Sequence, residues 1–242
     1  MKPLSKNLGL VLVVLAAGCV QIEQDLTLKA DGSGVVRLIY VAAEGEGTLA
    51  QRAAREMVRQ TLALNDGGTR LPQDMSDAEI RAQFAGYAKH GVQLEQLTTE
   101  RKTQHVVRRA TISFRDLPGL ARALLPERTL ALSRSARGDY TLTQQPGGGD
   151  SLVNRFAAVA ADDSNPLTAE LFKGFRATLR LHAPGRVLEA NAAQAQQGAA
   201  VWRFDYDQDA QALAKLLRRP MRVTFEGRGL QLTPFVQRAG PR

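Results

Sequence analysis

Residues 175–182 read FRATLRLH, and this stretch sets the framework of the fold. Phe175, Ala177, Leu179 and Leu181 fall on one side of an extended chain, and Arg176, Thr178, Arg180 and His182 on the other. A period of two with one apolar side is a β-strand with one buried face. Pro184-Gly185 turns the chain after it. Beyond the turn, Val187 to Ala190 and Ala200 to Tyr206 read as strands around Gly198. Ala210, Leu213 and Leu217 follow with helical spacing, and Met221, Val223 and Phe225 form a last strand.

Earlier in the chain the same signals give hairpins. Residues 20–42, VQIEQDLTLKADGSGVVRLIYVA, are two strands around Asp31-Gly32 and Gly34, which supply the positive-φ positions of a tight turn. Val92 and Leu94 open a second hairpin. Its return strand sets Val106, Arg108, Ala110, Ile112 and Phe114 on one face, where Arg108 reads as a strand end. Leu130 and Leu132, then Tyr140 and Leu142, flank Gly138-Asp139 in a third hairpin. Between these lie helices. One runs from Thr48, with Leu49, Ala53, Met57 and Leu62 near one face. Another starts at Ser76, which with Glu79 has the spacing of a capping box. It carries Ile80, Phe84 and Ala88 on one face and closes at His90-Gly91. DLPGLARALL is a short helix with Pro118 and Gly119 in its first turn. Further helices are expected near 151–161 and 168–173.

No regular strand–helix–strand alternation appears, which excludes a doubly wound parallel sheet. The expected class is α+β, with antiparallel sheets built from hairpins and several helices packed on one side. Pro146-Gly147-Gly148-Gly149 is the best linker candidate, so a division into two lobes would fall near 146–150. The stretch 229–242 has no clear period and is expected as a loose tail.

The first residues, MKPLSKNLGLVLVVLAAGCV, carry the chain's one cysteine, Cys19. Lys2 and Lys6 form a basic start, and Leu8 through Gly18 an uncharged apolar run. The run is short of the roughly 20 residues that cross a bilayer and has the length of a signal-peptide core. Ala16-Ala17-Gly18-Cys19 resembles the bacterial lipobox, although Ala16 stands where leucine is more usual. That resemblance implies cleavage after Gly18 and acylation of Cys19. Residues 1–18 are then a signal peptide, and 19–228 an envelope domain that starts at its own anchor. Several acyl chains at about 0.8 kcal/mol per buried methylene hold a protein stably, where one is marginal. Val20 rather than aspartate follows Cys19, which in Gram-negative sorting favours the outer membrane.

The 242 residues carry a net charge of +8 and are 44% hydrophobic, enough for a real core. The arginines are scattered rather than massed, so they mark no nucleic-acid patch, and an exported chain meets no nucleic acid. His90, His105 and His182 have no second histidine or cysteine at metal-ligand spacing. Asp205, Asp207 and Asp209 alternate like the start of a calcium loop. The sixth position is Ala210 rather than glycine and the twelfth Leu216 rather than glutamate, so Asp207 or Asp209 reads as a helix cap. Asp162-Asp163 reads as a helix-end loop. No nucleophile elbow, zinc-binding helix or phosphate loop is present.

Three stretches together carry a family resemblance. They are KADGSGVVRL after the lipobox cysteine, GVQLEQL with VVRRATISFRDLPGL, and FRATLRLHAPGRVLEANAAQAQQGAAVWRFDYD. Their layout resembles the LppM-type domain of bacterial lipoproteins over most of residues 19–227. The resemblance implies an antiparallel α+β domain, membrane anchoring, no catalytic residues and a lipid or glycolipid ligand. Asn191 and Trp202 match its pattern, and both have plain readings as a turn residue and a core anchor.

The resulting expectation is a non-enzymatic envelope lipoprotein with no cofactor. It is held to the membrane by acyl chains on Cys19 and binds a lipid, a glycolipid or an envelope protein. A lipid cavity, if present, is expected between sheet and helices. An assembly factor docking on other envelope proteins is the alternative, and a hydrolase of envelope polymers the third class.

Overall fold

The computed structural model describes residues 20–43, 75–103, 105–125, 128–146, 157–158, 160–162, 166–196 and 198–237. Cys19, the helix expected from Thr48, most of 146–150 and Asp163 lie outside them.

The first hairpin is β1 (Gln21–Leu28) and β2 (Gly34–Ala43). Asp31 folds its turn by accepting the Ser33 N–H (3.0 Å) and hydroxyl (2.7 Å). Only Gly32 sits at positive φ (87°). Gly34 is needed for a different reason, since a Cβ there would lie 2.2 Å from the Thr27 carbonyl oxygen.

Helix α1 (Asp77–Tyr87) has the expected capping box. The Glu79 N–H donates to Ser76 Oγ (3.2 Å), and Ser76 N–H donates to the Glu79 carboxylate (2.7 Å). Ile80 and Phe84 are buried, with Tyr87 rather than Ala88 as the third anchor. A short 3-10 turn to His90 ends on Gly91 at φ 71°. Strands β3 (Val92–Lys102) and β4 (His105–Phe114) follow, then α2 (Leu117–Leu124), capped by Asp116 accepting the Gly119 N–H at 2.6 Å. Next come β5 (Arg128–Arg134), β6 (Tyr140–Pro146) and α3 (Pro166–Phe172). The chain continues through β7 (Arg176–His182), β8 (Val187–Ala190), β9 (Gln194–Gln196) and β10 (Ala199–Asp205). It finishes with α4 (Ala212–Arg218), β11 (Met221–Phe225) and β12 (Phe235–Gln237).

These strands make two sheets, a seven-stranded one in the order β3-β4-β2-β1-β7-β10-β9 and a five-stranded one in the order β12-β5-β6-β11-β8. This corrects the expected class. The protein is predominantly β, with four helices among the described residues, and not helices layered on a sheet. The cause is burial: both sheets have an apolar face, and over much of their area each covers the other. Leu26, Val36 and Ile112 from the seven-stranded sheet share one core with Leu130, Leu142 and Val223 from the five-stranded one. The larger sheet is also mixed. β1 pairs β7 in parallel, Ile22 beside Ala177 and Leu26 beside Leu181, while its other ladders are antiparallel.

The strand at 176–182 has the inward and outward faces that its alternation predicts. Alternation reports which face is buried and says nothing about the direction of the neighbouring strand. Arg108 requires a second correction. It sits within β4 and is 5% exposed. Its Nε donates to Thr99 Oγ1 (3.2 Å) and its Nη2 to the Met75 carbonyl, while the Thr99 hydroxyl donates to Asp77 (2.6 Å). Those oxygens accept from two of the guanidinium nitrogens on the covered face and tie α1 to the hairpin.

Both sheets take strands from either side of residues 147–150. The stretch expected as a tail carries β12, which pairs β5, and Leu232, which is buried and accepts the Tyr140 hydroxyl at 3.0 Å.

Candidate functional site: a cavity between the sheets

Strand pairing dictates which side chains meet. On the five-stranded sheet Arg128, Leu130 and Leu132 of β5 share a face with Gln144 and Leu142 of β6 and with Met221 and Val223 of β11. Facing them are Leu26 of β1, Val36 of β2, Ile112 of β4, Leu181 of β7 and Trp202 of β10. The two faces do not close completely. They leave an apolar cavity of about 150 Å³, walled in part by leucines of α2 and α4 and open over part of its boundary. A space of roughly this size lined by aliphatic side chains stays dry and takes up small apolar molecules. The cavity expected between sheet and helices therefore lies chiefly between two sheets.

The polar lining is sparse. Gln24 and Arg180 come from one sheet and Gln144 and Arg128 from the other, and the Arg180 guanidinium is paired with Asp25 (3.1 Å). Arg128 opens β5, its N–H bonded to the Leu125 carbonyl (3.0 Å) at the end of α2. Its Nη2 donates to the Leu216 carbonyl (3.2 Å) in the last turn of α4, a position that suits a cation. Its Nη1 is buried and has no hydrogen-bond partner among the described residues. Burial disfavours the charged form and pushes the Arg128 guanidinium down to about 10, which leaves it protonated at neutral pH. The sequence shows Arg128 only as one more basic residue after a helix. Nothing local marks it, because the cavity is made by pairing with distant strands.

Asn191 and Trp202 are brought together beside this site. Trp202 Nε1 donates to the Asn191 carbonyl (3.1 Å) and lies 3.2 Å from its Oδ1. Asn191 Oδ1 also accepts the Arg222 N–H (2.8 Å), and Nδ2 donates to the Pro220 carbonyl (2.7 Å). One asparagine thus joins the tryptophan strand of the large sheet to β11 of the small one. The sequence gives the two residues their separate roles but not this joint.

The other candidate residues disperse. His182 contacts Asp25 (3.2 Å) on the outer side of the large sheet, where Arg180 also pairs with Asp25 (3.1 Å). His90 packs by α2 and His105 opens β4. A Cβ on Gly119 would lie 2.0 Å from the His90 carbonyl oxygen, so that helix can start there only with glycine. Asp205 pairs with Arg176 (3.1 Å), and Asp207 accepts the Gly174 N–H (2.8 Å). Asp209 takes the Gln211 N–H (3.0 Å) ahead of α4 and pairs with Lys215 (2.5 Å), whose hydrogen bond is the main cause of its lowered pKa. Asp162 is exposed. Among the described residues no three metal-ligating side chains converge, and no helix is long and apolar enough to cross a membrane.

No family model matches the chain, and no curated protein matches it in sequence. Among solved structures it is similar to the NMR structure of the folded domain of LppM from Mycobacterium tuberculosis. The identity is 12% and the TM-score 0.43, over 89% of this chain and 96% of that one.

Proposed function

We propose that this chain is a lipid-anchored envelope protein that binds an apolar ligand between its two sheets and carries out no catalysis. The observation that supports it best is the cavity, about 150 Å³ of unfilled space lined by leucines from both sheets. Close packing is the rule inside proteins, and empty space lined by leucine is destabilising unless something occupies it. The lipobox-like segment supplies the location. Val20, next to Cys19, is buried, and its carbonyl accepts the Arg176 N–H at 2.8 Å. An acylated Cys19 would therefore hold the folded body directly against the bilayer, with no spacer.

Two measurements test the reading. Benzene, which a space of this size accepts, is expected to bind saturably in a calorimetric titration and to be excluded by Leu142→Phe, which fills the space; non-saturable uptake unchanged by that variant would overturn the ligand site. A Cys19→Ser chain is expected to lose acylation and to leave the membrane fraction. Unaltered fractionation would overturn the anchor.

A further inference from the structure

Within the reading of the cavity as a ligand site, the polar atoms of its lining specify the ligand further. An aliphatic cavity that took only neutral hydrocarbon would gain nothing from a buried cation. Here Arg128 lines the wall with Nη2 committed to the Leu216 carbonyl and Nη1 buried without a partner among the described residues. A desolvated guanidinium with one open N–H edge is strongly favoured by a nearby anion. Gln144 lies diagonally across the ladder from Arg128 on the same face, and Gln24 faces the cavity from the other sheet. Each brings an amide that donates to oxygen. Arg180 also lines the space, but its guanidinium is paired with Asp25 (3.1 Å), and the rest of the lining is apolar apart from the Trp202 indole N–H, which is bonded to Asn191.

The volume bounds the apolar part. A dry cavity of about 150 Å³ accepts a benzene-sized body, roughly six carbons, so a longer tail has to leave through the opening. A two-chain lipid does not fit inside.

We infer that the site takes a single-tail amphiphile with an anionic head, a carboxylate or a phosphate monoester. The head pairs with Arg128 and the first carbons of the tail lie among the leucines of the two sheets.

Trp202 makes this measurable, because it is the chain's one tryptophan and it lines the cavity. The full chain, held in amphipol, is titrated with decanoate, decyl phosphate and decanol while the indole emission is followed. Both anions, or one of them, should shift the emission at concentrations at least tenfold below decanol, and the stronger anion identifies the head. Arg128→Met should erase that preference and keep the decanol response. Arg128→Lys should retain part of the preference, which separates loss of charge from loss of fold. Equal responses of the unaltered chain to decanol and the anions would overturn the Arg128 inference and leave the apolar site standing. No response to any of the three would overturn both.

Discussion

The inner face of the seven-stranded sheet is covered in two ways along its length. At one end, Val20, Ile22, Tyr40 and Ala177 pack against Phe172 and Leu213 from short helices. Small residues there, Ala42, Ala157, Ala160 and Ala177, are almost wholly buried and let the helices approach closely. At the other end Leu26, Val36 and Leu181 face a second sheet, and the cavity lies between. The contrast separates two consequences of side-chain size. Alanine under a helix gives contact without space. Leucine between two sheets, whose backbones stand about 10 Å apart, spans the gap only where partners interdigitate, and here they leave a void.

The first way to break this comparison is to empty the closed end. Phe172→Ala should cost about 3–5 kcal/mol, read as a fall in the urea midpoint; a loss below 1 kcal/mol would show that this end is not tightly packed. Adding volume comes next. Ala177→Leu should cost about 1–3 kcal/mol by overpacking. Leu142→Phe at the cavity end should change stability by less than about 1 kcal/mol, because there is room to fill. Equal penalties for the two would erase the distinction between the ends. The seam beside the cavity is third. Asn191→Ala removes the acceptor of the Arg222 N–H and the donor to Pro220, with an expected loss of roughly 1–2 kcal/mol and a change in Trp202 emission.

The smallest effect concerns pH at the α2 end. Burial lowers the pKa of His90, with Lys89 and Arg122 adding to it. A folded-state value below the unfolded one means that the unfolded chain binds the proton more readily. Stability is then unaffected above about pH 6.5 and declines as pH falls through and below that value. His90→Gln should flatten the profile between pH 7 and 5 in thermal melts. An unchanged slope would remove His90 from the account.

Much of the element list is legible from local chemistry. The Ser76–Glu79 box, the Asp31-Gly32 turn, the Gly138 hairpin and the alternation at 175–182 each depend on residues within a few positions of one another. Arg108 is misread because the groups that accept from its guanidinium, Thr99 and the Met75 carbonyl, come together only through the β3–β4 ladder and the docking of α1. β12 goes unseen for a related reason: Phe235, Val236 and Gln237 are too few to show a period, and their pairing with β5 makes the strand.

By itself, the sequence determined the faces of the strands and the turns and caps, and it holds the basic-apolar-cysteine segment on which the proposed anchor rests, since each depends on neighbours along the chain. Only the tertiary structure decided that β1 and β7 run parallel, that one sheet covers the other, and that Arg128 lines the resulting cavity. Those outcomes depend on residues far apart in the chain, and strand alternation carries no information about which distant strand will lie alongside, or in which direction.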